Sequence, residues 1–181
     1  MWQEAGQLAA ELLVRDKAPD QERIFDRKDR TLLRVPYAAP DSFKSRLNLS
    51  GWLDHDVHAA GLVEQGKKPT ALSILTGWAA VEAIRARRCK DLPREFCLAA
   101  TADRVVALAV SAMSEGDDTT DMVIKLKREE RGSWPRSAVR VELKKQGATD
   151  GRLALPGFEP FEVNWGNDPS TAELIAVLAR R

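Results

Sequence analysis

The chain has few of the residues that build metal, cofactor and disulfide sites. Its 181 residues include two cysteines and two histidines. Cys89 and Cys97 fit neither a paired-thiolate metal motif nor a disulfide-rich scaffold, so they indicate free thiols in a reducing compartment. The sequence also lacks a Gly-rich phosphate loop, a dinucleotide fingerprint and a Ser-centred nucleophile turn. These absences argue against the common classes of nucleotide-dependent and hydrolytic enzymes, and we expect no cofactor.

Strong net charge and long apolar runs are missing as well. The 28 basic and 27 acidic residues leave a formal net charge of +1, so no overall field draws the chain to nucleic acid or to anionic lipid. No run approaches the ~18 apolar residues of a membrane-spanning helix, and Glu4 and Glu11 interrupt the N-terminal region where a signal peptide would be apolar. We therefore expect a cytoplasmic protein without a transmembrane segment, for which nucleic acid is not the expected partner.

The first half of the chain has mostly helical patterns. Apolar residues at helical spacing predict helices over Trp2–Arg15 and Thr70–Arg88, and Pro93 prevents the second from continuing. The mixed pattern of Asp41–Val63 predicts a broken helical segment. Only Thr31–Tyr37 suggests a strand, and its proline would confine that strand to a sheet edge. Residues 1–92 are therefore predicted to form a helical N-terminal region.

The second half changes to strand patterns. Two apolar runs, Phe96–Thr101 and Val105–Met113, flank a short polar turn and predict a β-hairpin. Further strand-like segments follow: Met122–Lys127, Val139–Lys144, Leu153–Leu155 and Phe158–Val163. Asp168 is a good N-cap, and Pro169 suits the first position of a closing helix. Residues 93–181 are therefore predicted to form a β domain with a C-terminal helix.

Three features of this second half resemble the bacterial pleckstrin-homology-like family. They are the hairpin FCLAATADRVVALAV with its threonine–acid–arginine turn, the segment WPRSAVRVEL, and the closing helix from Pro169. The resemblance implies an antiparallel barrel or sandwich closed by the C-terminal helix. It also implies a binding or scaffolding module without catalytic residues. The hairpin turn carries Arg104 alone, whereas lipid-binding members of the wider superfamily carry a cluster of basic residues there.

Together these patterns predict an α+β protein with a helical N-terminal part and a pleckstrin-homology-like β domain. The expected function is non-enzymatic recognition of a protein or peptide partner. One alternative is a metal-dependent enzyme, because Asp54, His55, Asp56 and His58 lie close together in sequence. On a helix, His55 and His58 could share one metal ion with Asp54 as a third ligand. Histidines at this spacing beside acidic residues are also common on solvated surfaces.

A second alternative is binding to an anionic surface or to nucleic acid. Lys125, Lys127, Arg140 and Lys144 fall on the polar sides of predicted strands and would form a basic strip. Charged residues on an outer strand face also protect sheets from aggregation, which is a purely structural explanation.

The five tryptophans provide candidate contact residues for a protein partner. Trp134 and Trp165 lie beside Pro135 and Gly166 in loop-like contexts. We predict them to be partner-binding residues, because a rigid aromatic side chain buries a large area at little entropic cost. The alternative is that they pack in the core.

Overall fold

The structure is a computed structural model that describes residues 24–26, 28–37, 39–66, 89–115, 122–143, 145, 148–166 and 168–179. Within these residues, two helices and eight strands are formed. The helices are α1 (Ser42–Ser50) and α2 (Pro169–Ala179). The strands are β1 (Leu32–Pro36), β2 (Ala59–Gln65), β3 (Glu95–Ala100), β4 (Arg104–Glu115), β5 (Met122–Pro135), β6 (Arg140–Leu143), β7 (Asp150–Ala154) and β8 (Phe161–Asn164). Neither helix is long and apolar enough to cross a membrane.

All eight strands belong to one antiparallel sheet in the order β1-β5-β4-β3-β2-β8-β7-β6. A 3-10 turn at Arg136–Ala138 connects β5 to β6, the strand at the far edge. Helix α2 packs against both β2 in the middle of the sheet and β6 at its edge. The sheet therefore curls around α2 while its two edge strands, β1 and β6, remain unpaired with each other.

The central strands bury both faces. On β3, Phe96 and Leu98 pack into a C-terminal core with α2, whereas Cys97 and Ala99 pack into an N-terminal core with β1 and α1. A strand that is covered on both sides has no reason to alternate apolar with polar residues. The continuous apolar runs of the hairpin follow from this double burial.

Helix α2 is fixed to the sheet at its first turn. The Asp168 carboxylate accepts hydrogen bonds from the Thr171 backbone N–H at 2.9 Å and from the Thr171 hydroxyl at 2.5 Å. The Thr171 hydroxyl oxygen in turn accepts the N–H of Leu62 on β2 at 2.8 Å. A Cβ at Gly61 would overlap Thr171, so this close approach of helix and strand requires glycine.

A buried glutamine holds the chain segment that precedes β3. The Gln65 side-chain oxygen accepts the N–H of Cys89 at 2.7 Å, and its amide nitrogen lies within hydrogen-bonding distance of three carbonyls, those of Cys89, Leu92 and Pro93. Because an unsatisfied buried amide costs free energy, these contacts couple β2 to the entry of β3.

The observed architecture corrects the predicted fold class. In the part of the chain that the structure describes, residues before 93 contribute two strands, β1 and β2, and only one helix of nine residues. The predicted helical N-terminal part is therefore wrong, and the broken helix predicted over Asp41–Val63 ends at Ser50. The helices predicted over Trp2–Arg15 and Thr70–Arg88 lie outside the described residues.

The predicted antiparallel barrel or sandwich is also wrong, because the described strands form one open sheet that mixes strands from both halves of the chain. Strand β2 pairs with β3 and with β8, which places it across the boundary drawn between residues 92 and 93. Its sequence AAGLVEQ has residues that suit a helix, but pairing on both sides overrides that local preference. The hairpin of β3 and β4 and the C-terminal helix are confirmed.

Candidate functional site

The histidine-containing segment is a loop between α1 and β2, not a helix. The Asn48 side chain holds it by accepting the Val57 N–H at 2.7 Å and donating to the Val57 carbonyl at 3.1 Å. The backbone N–H of His58 then donates to the Ala100 carbonyl at 2.8 Å. This loop therefore lies beside the turn that joins β3 to β4.

A polar cluster forms where this loop meets that turn. The Arg136 guanidinium donates to the Thr101 carbonyl at 2.9 Å and lies 3.4 Å from His58 Nδ1. Within the turn, the Thr101 hydroxyl donates to the Asp103 carboxylate at 2.9 Å. That hydrogen bond lowers the pKa of Asp103, and the nearby His55 and Arg104 side chains shift it in the same direction. The cluster ties the loop to the end of the sheet.

The predicted metal ligands do not converge. Among the described residues, no three His, Cys, Asp or Glu side chains form a group that could hold a metal ion. The Asp54 side chain is 90% exposed, and its carboxylate lies 3.7 Å from the Arg104 guanidinium. An arginine beside His58 further disfavours a cation at that ring nitrogen, because two positive charges would repel each other.

The residues of the predicted basic strip lie on strands that are not neighbours in the sheet. Lys125 and Lys127 are on β5, next to one edge of the sheet, whereas Arg140 is on β6 at the opposite edge. The Lys125 ammonium pairs with the Asp26 carboxylate at 2.7 Å. This hydrogen bond, together with the backbone N–H groups of Lys28 and Asp29, lowers the pKa of Asp26 to about 2 although burial opposes the shift. Lys144 lies outside the described residues, and the others do not form a continuous strip.

The two tryptophans predicted to contact a partner are core residues. Trp134 is 8% exposed and Trp165 is 5% exposed, and both belong to the C-terminal core. The Trp134 ring meets Phe158 edge to face, with centroids 6.2 Å apart. A Cβ at Gly132 would overlap the Trp134 ring. Both residues therefore follow the alternative given for them, packing in the core, and their rings do not lie on the surface of the free protein.

The thiols lie in the interior. Cys89 and Cys97 are free and buried. Burial raises the pKa of Cys97 far above that of an exposed thiol, so it does not form the thiolate that nucleophilic chemistry needs.

The surface feature that sequence reasoning missed is the outer half of β5. Strand β1 pairs with β5 only as far as the match of Leu32 with Lys127. Between residues 128 and 133, Glu130, Gly132 and Ser133 pair with β4 on one side, with two register shifts among them, and no described strand covers the other side. We call this stretch, residues 128–133, the open edge. Its residues are exposed except for the half-exposed Gly132.

The hydrogen-bond alternation in the β3–β4 hairpin determines how β4 faces β5. At the turn, the Thr101 N–H donates to the Arg104 carbonyl at 2.9 Å. In an antiparallel ladder the bonded pairs alternate with unbonded pairs. Val105 and Ala107 therefore direct their backbone groups away from β3 and toward β5.

The partners of these two residues on β5 are Trp134 and Gly132, which consequently bond to β4. Ser133 lies between them, so its backbone N–H and carbonyl point in the opposite direction, toward solvent. The same argument applies to the other end of the open edge.

There, the Tyr37 N–H donates to the Met122 carbonyl at 2.8 Å, which sets the bonding side of β5 that faces β1. Glu130 pairs with Leu108, which by the alternation of the hairpin bonds to β3, so the Glu130 backbone groups point to that same side, beyond the end of β1. Register shifts between Leu108 and Val110 and between Ala107 and Leu108 interrupt the regular alternation of β5 on either side of Glu130. The open edge thus presents the donors and acceptors of two residues, Glu130 and Ser133, to solvent.

The sequence did contain a signal for this edge. The run KREER (Lys127–Arg131) breaks the alternation of the preceding residues, which is typical of an exposed strand edge. The chain matches no model of a known protein family, and no curated protein matches it.

Proposed function

We propose that this protein is a non-enzymatic binding module that recognises a protein or peptide partner through strand addition to the open edge of β5. The observation that carries the proposal is the pair of outward backbone groups at Glu130 and Ser133. Addition of a strand to a sheet edge uses such groups as its main source of affinity.

The surroundings of the edge support this use. The edge strand is anchored on its other side by β4, which itself pairs with β3 in the centre of the sheet. An edge held in its bound conformation loses little entropy on association, so more of the hydrogen-bond energy remains as affinity. The exposed charged side chains disfavour non-specific pairing of this edge with other chains.

We place this module in the cytoplasm. Its two cysteines are unpaired, as is usual for proteins of a reducing compartment.

The test is a selection of binding peptides from a random displayed library, followed by affinity measurement on matched variants. Ser133→Pro removes an outward N–H, and prolines are tolerated at strand edges where that group faces solvent. Ser133→Ala keeps the N–H and serves as the control. We expect Ser133→Pro to weaken selected peptides by about tenfold, as the loss of one or two hydrogen bonds predicts, and Ser133→Ala to bind normally.

Amide hydrogen exchange gives an independent measurement. Bound peptide should slow exchange at Glu130 and Ser133, whose amides point away from β4. Selected peptides that bind Ser133→Pro as well as wild type and leave these two amides unprotected would contradict the proposal.

A further inference from the structure

We infer that the segment accepted by the open edge runs antiparallel to β5, places an apolar side chain beside Gly132 and, as its next residue, places a basic side chain opposite Glu130. The inference rests on the proposed function and names the chemistry of its partner. It follows from the register of β5 with β4, from the aromatic ring that covers Gly132 and from the charge of Glu130.

The register with β4 fixes the faces of two residues on the open edge. Residues directly opposite each other in a ladder carry their side chains on the same face of the sheet. Glu130 lies opposite Leu108, which belongs to the N-terminal core. Gly132 lies opposite Ala107, which belongs to the C-terminal core. The open edge therefore presents the Glu130 side chain on one face and the side-chain position of Gly132 on the other.

The side-chain position of Gly132 is filled by the ring of Trp134. A Cβ on Gly132 would overlap the Cη2 and Cζ2 atoms of that ring. A side chain on a strand added opposite Gly132 would leave the sheet about 5 Å from this position, within contact of the ring. Trp134 also packs edge to face against Phe158, which is partly buried. The place beside Gly132 is therefore a margin of the C-terminal core, where an apolar side chain is stabilised by leaving water.

The next residue of the added strand faces Glu130. Strand β4 spans Gly132 and Glu130 with two consecutive residues, Ala107 and Leu108, because Arg131 is the extra residue of a bulge. A regular strand on the free flank spans the same length. Every described pairing in this sheet is antiparallel, so the added strand meets Gly132 before Glu130. Since opposite charges attract across a ladder, a lysine or arginine follows the apolar residue.

A second copy of this chain does not meet this requirement. The two-fold pairing that uses both outward residues sets Glu130 of one copy opposite Ser133 of the other, and it sets Arg131 opposite Gly132. A guanidinium would then lie where the core margin favours an apolar side chain, and removing that charge from water costs free energy. We therefore assign the edge to a segment of another protein.

The experiment uses three short capped peptides. The parent has threonine, leucine and lysine in that order at its centre, the second has serine in place of leucine, and the third has glutamate in place of lysine. Binding is followed by amide chemical shifts of the nitrogen-15-labelled full chain, which detect weak complexes. We expect the parent to bind about tenfold more tightly than the serine peptide, as burial of a leucine side chain predicts. It should bind about threefold more tightly than the glutamate peptide.

Two further measurements locate these contacts. Nuclear Overhauser effects should join the leucine methyl groups of the parent peptide to the ring protons of Trp134. Glu130→Lys should reverse the preference between the lysine and glutamate peptides and keep the preference for leucine over serine. The matched control, Glu142→Lys, changes an exposed glutamate on β6 at the opposite edge of the sheet and should leave both preferences unchanged.

The outcomes separate this inference from the proposed function. Equal binding of the leucine and serine peptides, or leucine methyl groups without contact to Trp134, overturns the apolar assignment while strand addition stands. An unchanged preference in Glu130→Lys overturns the basic assignment in the same way. A parent peptide that does not bind at millimolar concentration, while library peptides bind the open edge, overturns both assignments.

Two results concern the occupant itself. Library peptides that leave the amides of Glu130 and Ser133 unprotected overturn the proposed function. Sedimentation showing a dimer that Ser133→Pro abolishes would identify a second copy as the occupant and would overturn the assignment to a segment of another protein.

Discussion

The two halves of β5 share one continuous strand but have opposite surroundings. In the inner half, residues 122–127, both flanks are paired and Ile124 and Leu126 are buried in the N-terminal core. Its lysine at position 125 is paired with Asp26. In the outer half, from Arg128, one flank lacks a described partner and the side chains are mostly exposed. The difference arises because the pairing of β1 with β5 ends at Lys127. It separates a stretch that stabilises the fold from one that we propose binds a partner.

The outer half nevertheless contains one strong contribution to stability. Its last buried residue, Trp134, turns to the C-terminal core after the register shift with β4. The open edge is thus a solvent-facing surface on a strand that Trp134 anchors in the core. The predictions below test whether effects on stability and on binding fall on different residues of this strand.

The largest effect is expected from Trp134→Ala. Removing a buried indole from the C-terminal core should lower the free energy of unfolding by about 3–5 kcal/mol. Urea denaturation monitored by far-ultraviolet circular dichroism measures this, with Trp134→Phe as the milder control. A loss below about 1 kcal/mol would return Trp134 to the surface role that its loop-like sequence context indicated.

Gly132→Ala should destabilise the same region by roughly 1–3 kcal/mol, because its new methyl group would overlap the Trp134 ring. Within a Trp134→Ala background the same substitution should cost much less, since the ring is gone. The double-mutant cycle measures this coupling. Additive losses would mean that Gly132 matters for its backbone and not for the tryptophan.

The ion pair between Lys125 of the inner half and Asp26 predicts that the stability of the protein falls at acid pH. The folded pKa of Asp26, about 2, is below its ordinary value of 3.8. The pair with Lys125 therefore contributes fully above the unfolded pKa, and its contribution disappears as pH falls from about 5 toward 2. The maximum contribution is about 2 kcal/mol.

Denaturation curves across that range measure it. Asp26→Asn and Lys125→Gln should each reduce the loss of unfolding free energy between pH 5 and pH 2, and the double variant should resemble the single variants. An unchanged loss in Asp26→Asn would assign it to other carboxylates.

The smallest effect on stability is expected at the open edge. Ser133→Pro removes an N–H that no described backbone group accepts, so unfolding should change by no more than ~0.5 kcal/mol. The contrast between this small change and a large loss of peptide affinity would establish the division of β5. A loss comparable to that of Trp134→Ala would show that the Ser133 N–H bonds within the fold.

Local sequence patterns predicted the helices and strands whose signals lie within the element itself. The hairpin of β3 and β4 followed from two apolar runs around a polar turn, and α2 followed from the Asp168–Pro169 start. Strand β1 was also predicted at a sheet edge, where its proline is tolerated. These signals operate within a few residues, so one sequence is enough to detect them.

The candidate sites were predicted less well, because each depends on residues distant in sequence. Trp165 looked like a surface residue beside a glycine, but it is covered by the C-terminal core. His55 and His58 were interpreted on a helix, whereas the Asn48 contacts hold them in a loop. The exposure of a side chain depends on which strands pack over it, and local composition does not contain that information.

By itself, therefore, the sequence determined the hairpin, the terminal helix and the charged run in β5, since apolar runs, caps and charge act locally. Only the tertiary structure decided that β2 is a strand, because its Leu62 N–H bonds to Thr171, 109 residues away, and its neighbours are β3 and β8. It also decided that the pairing of β1 with β5 ends at the match of Leu32 with Lys127. The rest of β5 therefore has no described partner on that side. Hydrogen-bonded edges and buried pairs form between distant segments, so they arise only when the whole sheet assembles.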